Sequence, residues 1–242
     1  MSKIAGYLFV FSVIVFIFCF VKRNEFRDDR ILHSEVEIEP LQSPVEIDPF
    51  EVQFKNTTYR VRPLYDYEIS GLVVSFRHHS GDSMLHKLWN DHLNTTDLCI
   101  VWRENASHPD LNKLDFWNGQ FTCNVKTRDQ QAWNRFDMNQ LSNNHLISDD
   151  EWLREQIAQV KIGDQIQLSG WLSAYSAAGG PERGTSTTRT DTGNGACETI
   201  YVKSFHILSA SSSTWRTFMW LSLISAFASL SWYFFAPFQT RN

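Results

Sequence analysis

Between Gly184 and Glu198 the chain reads GTSTTRTDTGNGACE, the segment richest in side chains able to do chemistry. Cys197 could act as a nucleophile if a neighbouring cation favoured its thiolate. Arg189 could clamp a carboxylate or phosphate through paired hydrogen bonds, and Gly193 and Gly195 would let backbone amides converge on the same anion. Asp191 and Glu198 complete the charged groups. The same letters also describe a plain hairpin: a Thr-rich strand, a turn from Asp191 to Gly195, and a last strand. Arg189 and Glu198 are then a cross-strand ion pair and Cys197 a small buried residue, and this hairpin is the favoured reading.

A second cluster, LSNNHLI over Leu141–Ile147, places His145 just ahead of a capped helix. His145 could serve as a base or ligand, although a histidine at a loop corner is ordinarily hydrogen-bonded packing. The catalytic candidates are therefore His145, Arg189, Asp191, Cys197 and Glu198, and the ligand-binding candidates Arg189, Gly193 and Gly195. His78 with His79 and His86 with His92 lack the spacing of helical zinc ligands, and the cysteines lack C-x-x-C spacing. Phosphate-loop, dinucleotide and nucleophile-elbow motifs are absent too, so the sequence predicts neither a metal nor a cofactor.

The elements that must position these residues are mostly strands. Tyr67–Phe76, Asp97–Trp102, Gln120–Val125, Gln165–Tyr175 and Thr199–Leu208 are rich in β-branched and aromatic residues, and Gln165–Tyr175 alternates strictly. Gly163-Asp164 reads as a tight turn into that strand, and Gly170 within it as a bend. Ser148-Asp149-Asp150-Glu151 is a capping box ahead of Leu153, Ile157 and Val160, and Asp82–His92 is a shorter helix candidate. The sequence thus predicts a mainly β (α+β) fold, a small OB-like barrel over residues 58–210 with one or two short helices. Trp89, Trp102, Trp117, Trp133, Trp152 and Trp171 could line a groove or a partner surface, or fill the core.

Uncharged runs over 4–21 and 217–236 are each long enough to cross a bilayer as a helix. The first is longer than the apolar core of a signal peptide and is followed by Lys22 and Arg23, and the second carries flanking Trp and Tyr. Ser222, Ser225, Ala226 and Ser229 form a small-residue stripe on the second, suited to close approach of the first helix, a protein partner or a second copy. Residues 22–57, with Val-Glu-Ile-Glu-Pro and Val-Glu-Ile-Asp-Pro repeated, read as a semi-rigid acidic spacer. All 27 acidic residues lie within residues 22–215 against 19 of the 22 Lys and Arg, with Lys3, Arg216 and Arg241 outside, a net charge of −8 there that speaks against nucleic acid as a ligand. Lys22, Arg23, Arg27 and Arg30 argue for a cytoplasmic domain, whereas the short basic tail before the first run argues for export, towards which the balance tips. Cys99, Cys123 and Cys197 allow at most one disulfide in the central part and leave one thiol over.

The succession SNNHL, GDQIQLSGWL and TSTTRTDTGNGACETIYV resembles a group of uncharacterised bacterial membrane-anchored proteins. Their exported domains carry S-N-x-H-L and R-x-D-T-G-x-G-A-C-E runs in the same order. The likeness covers roughly Tyr59 to Leu208. It implies a bacterial inner-membrane protein and brings no activity with it; the two apolar runs and the balance towards export add the expectation of two passes and a periplasmic domain. On sequence alone the favoured function is a membrane-anchored β-domain that binds a protein partner or envelope ligand. The alternative is a thiol-dependent or hydrolytic enzyme using Cys197 with His145, Arg189 and Asp191.

Overall fold

The computed structural model describes residues 2–79, 89–193 and 195–235. It divides into two compact units: residues 1–27 with 212–242, and residues 28–211. The helix expected over Asp82–His92 falls for most of its length outside the described residues.

The first unit is a pair of apolar helices, α1 (Ser2–Lys22) and α5 (Thr214–Phe235), both long and apolar enough to cross a membrane. Most of their large apolar side chains point outward, as lipid-facing positions do, while Ser222, Ala226 and Ser229 are buried. These small residues let the two backbones come close: Ser12 Oγ donates to Ser225 Oγ at 2.9 Å, and Phe18 packs edge-on to Trp215.

The second unit is built on one large sheet of seven strands. Its spine is β3 (Thr57–His78), a 22-residue strand. One edge of β3 pairs with β8 (Gln165–Ala177), and the other meets β2 (Phe50–Phe54), β1 (Leu41–Pro44) and β4 (Asn94–Val101) in succession. Beyond β4 lie β7 (Leu141–Ile147) and β9 (Cys197–Ser209). β9 also pairs with β8, so the five strands β3, β4, β7, β9 and β8 form a ring of pairings. The β7–β9 contact is parallel; every other pairing in the sheet is antiparallel. A separate hairpin, β5 (Asp115–Asn118) and β6 (Cys123–Lys126), is tied to β4 by a disulfide between Cys99 and Cys123. Among the described residues, three short α-helices intervene: α2 (Arg103–Ala106), α3 (Gln130–Arg135) and α4 (Glu151–Ala158).

The core follows the two-residue period of the strands. Leu98, Ile100, Leu146, Ile200, Val202, Leu168 and Leu172 all point to the inner face and pack with Trp102, Leu153 and Ile157. Tyr59, Val61, Leu93, Ile147 and Tyr175 form a second cluster.

Four expectations need correction. The 22–57 segment is more than a spacer, because Leu41–Pro44 and Phe50–Phe54 join the sheet. Lys55 and Asn56, at φ 46° and 62°, make the two-residue turn that folds β2 back on β3. The loop expected around His145 is the strand β7. Asn and His are poor strand residues in isolation, but here their side chains are hydrogen-bonded between two neighbouring strands. The Thr-rich strand does not form. Residues 184–193 are loop because Thr185 and Ser186 hydroxyls accept from the Thr199 and Thr188 amides, respectively, and so satisfy the backbone locally. The helix cap also shifts: Asp150 accepts from the Leu153 amide, while Ser148 accepts from the Asp150 amide.

Candidate functional site

Asp97, on β4, and His145, on β7, are direct partners across an antiparallel pair, and Cys197, opening β9, pairs with Asn143 two residues before His145. Since side chains alternate, Asp97, Asn143, His145 and Cys197 all project from the outer face of these strands, opposite Leu98, Leu146 and Ile200. His145 Nδ1 lies 2.6 Å from Asp97 Oδ1, and the imidazole also hydrogen-bonds Cys197. Asp97 is fully buried. Its Oδ1 further accepts from Asn94 Nδ2 at 3.2 Å, and its Oδ2 lies 2.9 Å from His79 Nε2.

Charge in this row is set by the competition between burial and partners. Burial alone would lift the Asp97 carboxyl, but hydrogen bonds from His145 and His79 outweigh it and hold the group well below the usual carboxylate range. Burial alone would lower His145, but Asp97 and then Cys197 outweigh it and raise the imidazole to about 10. His145 is therefore a cation at neutral pH, placed beside the Cys197 sulfur.

Cys197 is half-buried and opens onto a cavity of about 580 Å³. Asn143 Nδ2 donates to Cys197 Sγ at 3.3 Å and to the Phe121 carbonyl at 3.1 Å. Phe121 belongs to the loop between β5 and β6 and sits at φ 58°, a left-handed conformation uncommon for a non-glycine residue. The Cys99–Cys123 disulfide and a hydrogen bond from Arg77 to the Gly119 carbonyl hold this loop over the strands. Its Phe121 ring stacks on Trp89 and lies edge-on to His145. The wall also includes Tyr59, Tyr175, Ala177 and Pro181 with Asp91, Arg183, Thr185 and Thr199. Such a site, concave and mostly apolar with a few convergent polar groups, is the usual form of a small-ligand site.

The candidates named from sequence divide between two places. His145, Cys197 and Gly195 line the cavity. Arg189 instead lies 5.0 Å from the Trp102 ring and pairs with Glu39 at 3.3 Å. Asp191 accepts from Ser186 Oγ at 2.6 Å, and Gly193, at φ 89°, serves a turn. Glu198 points to the inner face, where it accepts from Ser142 Oγ at 2.8 Å; burial raises its carboxyl to about 7. Asp97, Asn143 and Arg183 carry no sequence signal of a role. Asp97 reads as the first residue of a strand, and only its register against His145 gives it meaning. Among the described residues no group of three His, Cys, Asp or Glu side chains is placed to hold a metal ion.

The chain matches no family model and none of the curated proteins with which it was compared.

Proposed function

We propose that the chain is a cysteine-dependent acyl-transfer enzyme, a hydrolase or transferase, with Cys197 as nucleophile, His145 as general acid and base and Asp97 as the residue that orients and charges His145. The observation that carries this reading is the alignment of Asp97, His145 and Cys197 on one face, with His145 and Cys197 lining an apolar cavity and Asp97 buried behind the imidazole. Sγ attacks the carbonyl carbon of an ester, thioester or amide, and the proton on His145 passes to the leaving group. The acyl group is then held on sulfur as a thioester. Neutral His145 next takes a proton from water or another nucleophile, which attacks the thioester and expels the sulfur. Asn143 Nδ2, already beside Sγ, is positioned to donate to the oxygen that gains charge at each attack. The partner-binding reading has the exposed Trp117, Trp133 and Trp152 in its favour, but it leaves the three-residue alignment without a use.

The five-stranded ring supports a small OB-like barrel as the carrier: the parallel β7–β9 contact and α4 between β7 and β8 are the arrangement such a barrel has. The two apolar helices and the Cys99–Cys123 disulfide support display from a bacterial inner membrane on its oxidising, periplasmic side.

The test is acyl-enzyme trapping on the full chain in detergent, with p-nitrophenyl acetate. Release of nitrophenol and an acetyl group on the Cys197 peptide are expected, both lost in Cys197→Ser. If Cys197 stays silent to the ester and to iodoacetamide until the protein is unfolded, the reading is wrong.

A further inference from the structure

Resting on that reading, we infer that the site selects acyl donors bearing a carboxylate a few bonds from the reacting carbonyl, and that Arg183 is the residue that binds it. Arg183 lines the same cavity as Cys197, with its backbone locked by a two-way bridge to Tyr175 at 2.8 and 2.9 Å. Its guanidinium stands 5.0 Å from the Trp89 ring, 5.4 Å from Phe121 and 5.9 Å from Tyr175. Three aromatic neighbours strip water from the cation, and the one acceptor they supply, the Tyr175 hydroxyl, meets Nη1 alone, which strengthens whatever anion reaches the other side.

The hydrogen bonding of Arg183 is one-sided. Nη1 donates to Asp91 Oδ2 and lies 3.4 Å from the Tyr175 hydroxyl, whereas Nε and Nη2 have no partner among the described residues. Asp91 is almost fully buried and itself accepts from the Tyr175 hydroxyl at 2.8 Å, so its part is to fix the plane of the guanidinium. What remains is a planar edge with two donors and no acceptor. That edge matches the two oxygens of a carboxylate.

Phe121 sets the spacing between the two ends of such a donor. Its ring touches Arg183, while its carbonyl accepts from Cys197 Sγ at 3.5 Å. The anion and the reacting carbonyl are therefore separated by the width of one phenylalanine, which a short acyl chain spans.

The test compares two thiol reagents of similar size on the full chain in detergent: N-propylmaleimide, which is neutral, and β-maleimidopropionate, which carries a carboxylate. Labelling of the Cys197 peptide is read by mass spectrometry. Wild type is expected to favour the anionic reagent, and Arg183→Gln to lower the ratio of the two rates by about tenfold. Because Arg183→Gln takes the guanidinium away from the buried Asp91 carboxylate, the double variant Asp91→Asn/Arg183→Gln is measured alongside it and should show the same lowered ratio. Arg183→Lys, which keeps the charge but loses the fork, should fall between. If wild type labels readily with N-propylmaleimide but shows no preference, or if the ratio survives in both Gln variants, the carboxylate assignment falls and the thiol enzyme stands. A Cys197 inert to both reagents in the native protein overturns the two together.

Discussion

His145 Nδ1 lies 2.6 Å from Asp97 Oδ1, and the two residues are direct partners across adjacent antiparallel strands. That register fixes the ring's orientation, because Asp97 is buried and held on its other oxygen by His79. The consequence is a histidine that stays charged beside a half-buried thiol.

Asp97→Asn keeps the shape of that partner and removes its charge. Alkylation of Cys197 by iodoacetamide at pH 7 is expected to slow by about tenfold or more, since the uncharged amide no longer holds a charged, oriented imidazole against the sulfur. Alkylation at the wild-type rate would remove Asp97 from the arrangement.

The raised His145 also predicts a pH dependence of stability. Its folded value of about 10 lies above the unfolded 6.5, so the contribution is complete below pH 6.5 and is lost as pH rises towards 10. Urea midpoints of wild type should fall across that window, and those of His145→Gln should fall less. Parallel curves would contradict the charged-histidine assignment.

The Cys99–Cys123 bridge closes a loop with a sequence separation of 24 and holds Phe121 over Cys197. Replacing both cysteines by serine is expected to cost about 2–4 kcal/mol in urea unfolding. It should also change the rate of Cys197 labelling, because the loop that forms one wall of the cavity loses its anchor. A stability loss with unchanged labelling would show that the loop is held in place by other contacts.

The strand over Gln165–Tyr175 was legible because one buried face imposes alternation of apolar and polar residues; Phe50–Phe54 alternates too, but lay within a Pro-rich acidic segment that read as spacer. β7 was not, since Asn143, Asn144 and His145 carry the composition of a turn; their strand conformation comes from partners on β4 and β9, distant in sequence. The same long-range pairing hid Asp97. Cys197 and His145 stood out because of their chemistry, yet only the parallel β7–β9 register shows that they face one cavity. Arg189 and Asp191 looked equally reactive by letter, and the loop turns them towards Glu39 and Ser186 instead.

Gly170 was the one bend the sequence marked, and it can be tested directly. It sits at a register shift between β8 and β9, where an added Cβ would meet the Tyr201 carbonyl oxygen at 2.1 Å. That neighbour is backbone and cannot rotate away. Gly170→Ala is expected to destabilise the β-rich unit by about 1–3 kcal/mol, measured by urea unfolding. A neutral outcome would mean that the two strands can slide apart at the bulge.

Glu198 gives the last prediction, and its sign is opposite to that of an ordinary paired carboxylate. Burial raises it to about 7 from 4.5, and the hydrogen bond from Ser142 only partly offsets this. The folded state therefore binds more protons than the unfolded one between pH 4.5 and 7, so stability falls as pH rises through that window. Glu198→Gln preserves the shape and hydrogen-bonding capacity without the charge. It should flatten the decline and leave the variant more stable than wild type at pH 8 by about 2–4 kcal/mol. Urea midpoints at pH 4.5, 6 and 8 check this. Because Glu198 faces the core while Cys197 faces the cavity, the substitution also tests whether neighbouring residues on β9 act independently: Cys197 labelling should persist in the stabilised protein.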